Sequence, residues 1–304
     1  MYGIFLFLGP KLLYELLALA KKVTVPRMGS GEKGNIRSKR GFEALEILQG
    51  QVAFITGAGS GIGRAAALKL AENGAKVALV DLHPENCKEV KQLIEENGSE
   101  ALIVEANVSS VEDMKKSYKL VIEKWGGLDI VFANAGINGV VAPIEDLSPD
   151  DWDLTISNNL RSTFLTIKYA IPYMKEKGGS VIITSSINGN RKYRGFGMSA
   201  YSTSKIGQMG FGKMAALELA KYHIRVNIIC PGAIETHIGE NTWKEKEEIK
   251  EIEIPIIYPE GSQPLEHQAG KPEQVAELVL FLASKQSNHI TGTEIYIDGA
   301  ESLL

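Results

Sequence analysis

Apolar positions change their rhythm near residue 50. From there on, short apolar runs alternate with stretches of helical period. The runs predicted as strands are Val52–Thr56, Lys76–Val80, Ala101–Val104, Asp129–Phe132, Ser180–Ser185, Ile224–Ile229 and Glu294–Ile297. Between them, helical spacing covers Ala65–Asn73, Pro84–Asn97, Val111–Trp125, one long stretch Asp150–Lys177, Ala200–Tyr222 and Pro272–Ser284; Gly74 and Gly98 are stop signals. Seven such runs separated by helices predict an α/β fold with a doubly wound, mostly parallel seven-stranded sheet covered on both faces. Crossovers should be right-handed, and a ligand should sit at the carboxyl ends of the strands. No internal repeat and no second composition regime appears after residue 50, so 50–304 reads as a single domain. Within it, residues 234–270 form a long connection, charged over Lys244–Lys250 and apolar over Ile252–Tyr258; this reads as a substrate lid.

Residues 1–49 break the pattern. Residues 2–20 are apolar but interrupted by Pro10, Lys11 and Glu15, and Val25 to Arg40 is rich in Gly, Ser, Lys and Arg. The run is short for a spanning helix. No Lys or Arg precedes it, as a signal peptide would require, although Ala18-Leu19-Ala20 suits a cleavage site. A non-structural extension with a flexible basic linker is the favoured reading, with Met28 or a later residue a candidate true start. Peripheral membrane contact through residues 2–20 and export are the alternatives. This leader carries a charge of +4 and the body −8, so nothing in the body suggests a nucleic-acid surface. Two scattered cysteines, Cys87 and Cys230, make neither a disulfide framework nor a zinc site. A reducing, cytoplasmic setting follows.

The candidate chemistry lies in two motifs. The first is Thr56-Gly57-Ala58-Gly59-Ser60-Gly61-Ile62-Gly63, between a strand and a helix. Glycines there let backbone approach a pyrophosphate, and the helix N-terminus offers it free N–H groups. Asp81 ends the second strand, where a carboxylate accepts the adenosine ribose hydroxyls and repels a 2′-phosphate. Neither Ser60 nor Leu82 is a basic residue that could attract such a phosphate, so NAD is predicted over NADP. The second motif is Tyr201-Ser-Thr-Ser-Lys205. On a helix these two share a face, and the ammonium is expected to lower the phenol pKa and make it an acid and base at neutral pH.

In addition to these, Asn134-Ala135-Gly136, Asn159-Leu160, Ser185-Ser186 and Pro231-Gly232-Ala233-Ile234-Glu235-Thr236 follow in order. With them the chain resembles the short-chain dehydrogenase/reductase family over about residues 50–304. The resemblance implies a Rossmann-type fold, a nicotinamide cofactor, hydride exchange with an alcohol or ketone, and a homotetramer or homodimer. It implies Tyr201 as general acid/base, Lys205 as its partner and a ligand of the nicotinamide ribose, and Ser186 as the holder of the substrate oxygen, with Ser185 as fallback. Asn159 would organise a relay water near Lys205, with Asn158 as a neighbouring alternative. Cofactor contacts fall on Gly57, Ser60, Gly61, Ile62, Gly63, Asp81, Asn107, Val108, Asn134, Ala135, Gly136, Tyr201, Lys205, Pro231, Gly232, Ile234 and Thr236. Asn107 stands where the family usually has Asp; its amide can donate and accept at the adenine. Arg191-Lys192-Tyr193-Arg194 reads as a solvated loop or, less favoured, as a greeting for an anionic substrate. A small-molecule alcohol or ketone oxidoreductase leads. A 3-oxoacyl-acyl-carrier-protein reductase using NADPH is second, and Asp81 argues against it. A non-catalytic NAD-binding regulator or scaffold would be expected to have lost part of the Asn159, Ser186, Tyr201, Lys205 set.

Overall fold

The computed structural model describes residues 47–304 apart from 194, 237, 240, 241, 245 and 260, and describes residues 246–248 by backbone alone. Residues 1–46 of the leader, on which its linker, membrane and export readings rest, lie outside the described residues, as does Arg194. The described residues belong to one compact unit.

Among the described residues nine strands form in chain order: β1 (Val52–Thr56), β2 (Lys76–Asp81), β3 (Ala101–Glu105), β4 (Ile130–Ala133), β5 (Gly139–Val141), β6 (Gly179–Thr184), β7 (Ile224–Pro231), β8 (Thr242–Lys244) and β9 (Glu294–Ile297). Seven make one sheet in the order β3-β2-β1-β4-β6-β7-β9, and every pairing in it is parallel. The order reverses between β1 and β4, which opens a crevice beyond their carboxyl ends. Alternate residues of β1 feed opposite faces. Val52 and Phe54 join one core layer, Ala53 and Ile55 the other, and all are buried. Phe54 stacks on Tyr118, with ring centroids 4.1 Å apart, and the Tyr118 hydroxyl donates to the Thr166 carbonyl at 2.6 Å.

The helices are α1 (Gly61–Glu72), α2 (Cys87–Glu96), α3 (Val111–Trp125), α4 (Pro149–Ile156), α5 (Ser162–Met174), α6 (Ser199–Leu219), α7 (Lys246–Ile252) and α8 (Pro272–Ala283). α1 starts four residues before the expected Ala65, because its first turn is built from the glycines that read as loop. Its buried Ala65, Ala66, Ala67 and Ala71 present a smooth face, and α8 packs against this helix. The stretch expected as one helix over 150–177 is two. Ser148 caps α4 by accepting from the Asp151 N–H at 3.1 Å, and a π-helical turn, Ser157–Arg161, separates α4 from α5. β5 and β8 form a second, two-stranded parallel sheet; three-residue strands carry too little periodicity to show in the sequence.

The segment 234–270 closes on itself at its base. The Glu235 N–H donates to the Gly270 carbonyl at 2.9 Å, and the Gly270 N–H to the Ala233 carbonyl at 3.0 Å. β8 then pins it to the loop after β4, where Asn138 also donates to the Thr242 hydroxyl at 2.9 Å. Among the described residues no helix is long and apolar enough to cross a membrane.

Candidate active site

β1 ends at Thr56 and the chain turns through Gly57 (φ +66°) into α1. The turn leaves no room for side chains. A Cβ on Gly63 would lie 1.9 Å from the Gly57 carbonyl oxygen, and one on Gly61 3.1 Å from Thr236. Ser60 makes no side-chain cap, so the first N–H groups of α1 remain available to an anion. Asp81 is fixed at the end of β2 by two backbone donors, Gly59 at 3.0 Å and His83 at 3.1 Å. Arg64, which no sequence motif marks, lines the same crevice but is paired with Glu89 at 2.9 Å.

This crevice, about 1110 Å³, is lined by every residue expected at the cofactor except Gly63. Gly63 is buried behind the turn and serves the close approach of α1 to Gly57. Asn134 braces three strands: its amide donates to the Thr56 carbonyl at 3.1 Å and accepts from Thr184 at 3.1 Å. The Asn107 oxygen accepts from the Ser109 N–H at 2.9 Å and the Ser109 hydroxyl at 2.7 Å. That turn commits the acceptor half of an amide expected to serve adenine in both senses.

Ser185 and Ser186 follow β6, and Tyr201, Ser204, Lys205 and Gln208 share one buried face of α6. The two serines divide cleanly. Ser185 donates to the Lys205 carbonyl at 2.7 Å, whereas Ser186 hydrogen-bonds the Tyr201 phenol and accepts from the Asn188 N–H at 3.1 Å. Lys205 donates to the Thr184 carbonyl at 3.0 Å, and its Nζ lies 5.5 Å from the Tyr201 ring centre. The expected lowering of the phenol by this lysine is not what the geometry produces. Burial pushes the Tyr201 phenol up, and the hydrogen bond with Ser186 opposes that. Burial also pushes the Lys205 ammonium down to about 8. Both groups lose water, and each is driven toward its neutral form.

Asn159 does not line the crevice; its neighbour Asn158 does. Asn159 is fully buried, accepts from the Ile137 N–H at 2.8 Å, and donates to the Ile137 carbonyl at 2.9 Å and the Ser204 hydroxyl at 3.0 Å. Its own carbonyl, displaced by the π turn, accepts from Thr163 at 2.8 Å and Gln208 at 3.0 Å. The side chain expected to organise a relay water therefore holds the wall behind Lys205.

A second cleft of about 550 Å³ meets the first at Ser186, Tyr201, Asn138 and Gly232. Ile187, Phe196 and Met198 line one side of it, and Ile254, Ile256 and Tyr258 of the 234–270 segment also face it. The basic loop splits. Arg191 stacks over Tyr296, 3.5 Å from the ring centre, the Tyr193 hydroxyl donates to the Gly189 carbonyl at 2.7 Å, and Lys192 pairs with Glu301 inside the cleft. Glu301 is not legible as a cleft residue in the sequence, because nothing local distinguishes an acid near the C-terminus.

A crevice at the strand reversal beside a buried Ser-Tyr-Lys cluster defines a class, and comparison with known proteins agrees. A family profile described as enoyl-(acyl carrier protein) reductase matches residues 57–300. The chain is 37% identical over 251 residues to a cyclohexanol dehydrogenase of Acinetobacter sp., covering 82% of this chain and 94% of that one. It is similar in structure to a 3-ketoacyl-ACP reductase from Sinorhizobium meliloti (46% identity, TM-score 0.79, 83% and 99% covered). It is also similar to a 3-ketoacyl-(acyl-carrier-protein) reductase from Brucella melitensis complexed with NADH (31% identity, TM-score 0.73, 84% and 99% covered). The chain belongs to the short-chain dehydrogenase/reductase family of oxidoreductases, whose members bind a nicotinamide cofactor.

Proposed function

We propose that the protein interconverts a secondary alcohol and its ketone with NAD as hydride carrier. The observation that carries this reading is the convergence of Ser186 and Tyr201, where the two clefts meet, with Lys205 in the larger one. The cofactor, when bound, supplies hydride chemistry. Ser186 holds the substrate oxygen. Tyr201 passes the proton to or from that oxygen. Lys205 binds the ribose beside it, and Asn159 positions the wall behind them. The glycine turn and the N-terminus of α1 take the pyrophosphate, Asp81 the adenosine ribose, and Pro231, Gly232, Ile234 and Thr236 the nicotinamide end. Segment 234–270 is the lid over the substrate.

Three features support NAD over NADP: the fixed carboxylate of Asp81, the exposed Leu82 beside it, and an Arg64 already paired with Glu89. A 3-oxoacyl thioester reductase is the second reading, favoured by the names of two similar structures. The NADH in one of them separates dinucleotide choice from substrate choice, so Asp81 alone does not decide between the readings. We further infer a homotetramer or homodimer, supported by exposed Phe164, Met214 and Leu217 on α5 and α6.

Turnover of a secondary-alcohol panel and a short 3-oxoacyl thioester, with NAD and NADP in parallel, tests the reading. NAD-linked alcohol oxidation that falls about 10²–10⁴-fold in Tyr201→Phe, with NADH binding intact, is the expected result. Full activity of that variant would overturn the mechanism; thioester reduction with NADPH alone would promote the second reading.

A further inference from the structure

Lys192 and Glu301 form an ion pair on the wall of the substrate cleft that also holds Ser186 and Tyr201. Their side chains are 13% and 9% exposed. Glu301 is fully engaged. One oxygen meets Lys192; the other accepts from the Ala233 N–H at 2.8 Å and from Gln263 at 3.1 Å. Three segments distant in sequence thereby hold one carboxylate still. Lys192 differs, because an ammonium has three donors and Glu301 is its ion-pair partner among the described residues. Donor capacity remains on the cleft side, while the charge is already balanced.

That balance selects among ligands. A carboxylate or phosphate entering the cleft would meet Glu301 and, on the lid, Glu253, against an ammonium that is already neutralised. A hydroxyl or carbonyl oxygen could accept from Lys192 without displacing Glu301. Leaving a buried donor unmet costs a ligand that lacks the oxygen. Ile187, Phe196, Met198, Ile254 and Ile256 give the wall apolar stretches that suit a hydrocarbon frame, beside the polar Asn138, Asn188 and Ser262.

Building on the oxidoreductase reading, we propose that Lys192, held by Glu301, is a specificity-determining donor that reads a second, neutral oxygen on the substrate, away from the reacting carbon. The substrate class is a neutral compound with two oxygens on an apolar frame, such as a cyclic diol or hydroxyketone. Anionic acids are excluded.

The test compares kcat/KM of the full chain, with NAD, on cyclohexanol, cyclohexane-1,2-diol and 2-hydroxycyclohexanecarboxylate. The diol should exceed the mono-alcohol by about tenfold or more, with the acid poorest. In Lys192→Met the diol and mono-alcohol should converge, through KM, with NADH affinity unchanged. Lys192→Gln, which keeps a neutral donor, should retain part of the diol preference, and it serves also if the Met variant fails to fold. Glu301→Gln leaves the ammonium uncompensated and should raise the acid about tenfold relative to the diol. Equal use of diol and mono-alcohol, preference for the acid, or a diol preference that survives Lys192→Met would each overturn the proposal. If other alcohols turn over with NAD and these three do not, the substrate class falls and the oxidoreductase reading stands. If no alcohol turns over although NADH binds, that reading falls and takes the proposal with it.

Discussion

Lys205 shows how much a single residue's neighbourhood decides. Its spacing from Tyr201 implies proximity, and proximity alone implies a lowered phenol. Burial reverses that, raising the phenol and pushing the ammonium down to about 8. The unfolded chain keeps this lysine protonated to near its ordinary 10.5, so between these values it binds a proton that the folded chain has lost. The burden on stability is full below about pH 8 and is relieved as pH rises toward 10.5. Without dinucleotide, Lys205→Met should therefore be more resistant to urea than the unaltered protein at pH 7, with the gap narrowing by pH 10. An unchanged gap would remove burial as the cause. Glycines separate in the same way. Gly63→Ala would place a Cβ 1.9 Å from the Gly57 carbonyl, a clash expected to cost about 2 kcal/mol or more and to abolish dinucleotide binding. Gly210, in α6, has nothing within 4 Å of where a Cβ would stand, and should instead gain about 0.5–1 kcal/mol as Ala. Thermal unfolding with and without NADH distinguishes the two.

Among the elements, the π turn between α4 and α5 matters most to the site. Helical periodicity runs straight through 150–177, because composition does not encode one widened turn. The widening carries the Asn159 carbonyl to Thr163 and Gln208 and leaves its side chain for Ile137 and Ser204. Asn159→Ala removes the partners of a backbone N–H and a buried hydroxyl. It should cost about 1–3 kcal/mol and lower kcat more than it alters the KM for NAD, read from denaturation and initial rates together. Loss of NAD affinity with kcat unchanged would place Asn159 at the cofactor instead. Segment 234–270 shows the converse case. Its ends are legible from the long gap between a strand and a helix, and the paired Glu235 and Gly270 close it there. Its attachment through β8 depends on partners about a hundred residues away.

For the whole molecule, the boundary of the folded body is a matter of packing rather than composition. The pattern changes near residue 50, yet Leu48 is fully buried in one of the two core layers and its N–H donates to the Asn73 carbonyl at 2.9 Å. A chain beginning at Gly50 should be less stable than one beginning at Ala44 by about 1.5–3 kcal/mol, the worth of one buried Leu. Equal urea midpoints would show that Leu48 contributes nothing. The exposed Phe164, Met214 and Leu217 belong to this scale too. If they form a subunit contact, Leu217→Lys should lower the mass seen by sedimentation without unfolding the protein.

The amino-acid order by itself determined the alternation of strands and helices, hence the parallel seven-stranded sheet, because apolar period and glycine stops are local properties. It also placed the glycine turn, Asp81, Tyr201 and Lys205, since each lies at a strand end or on one helix face where spacing implies position. Tertiary structure alone decided the rest. It turned Ser185 inward to the Lys205 carbonyl while Ser186 met the phenol. It put Asn159 behind the wall rather than on it. It brought Glu301 from the end of the chain to Lys192 across 109 residues. Burial and long-range pairing depend on which surfaces meet when the sheet closes, and no local stretch of sequence carries that information.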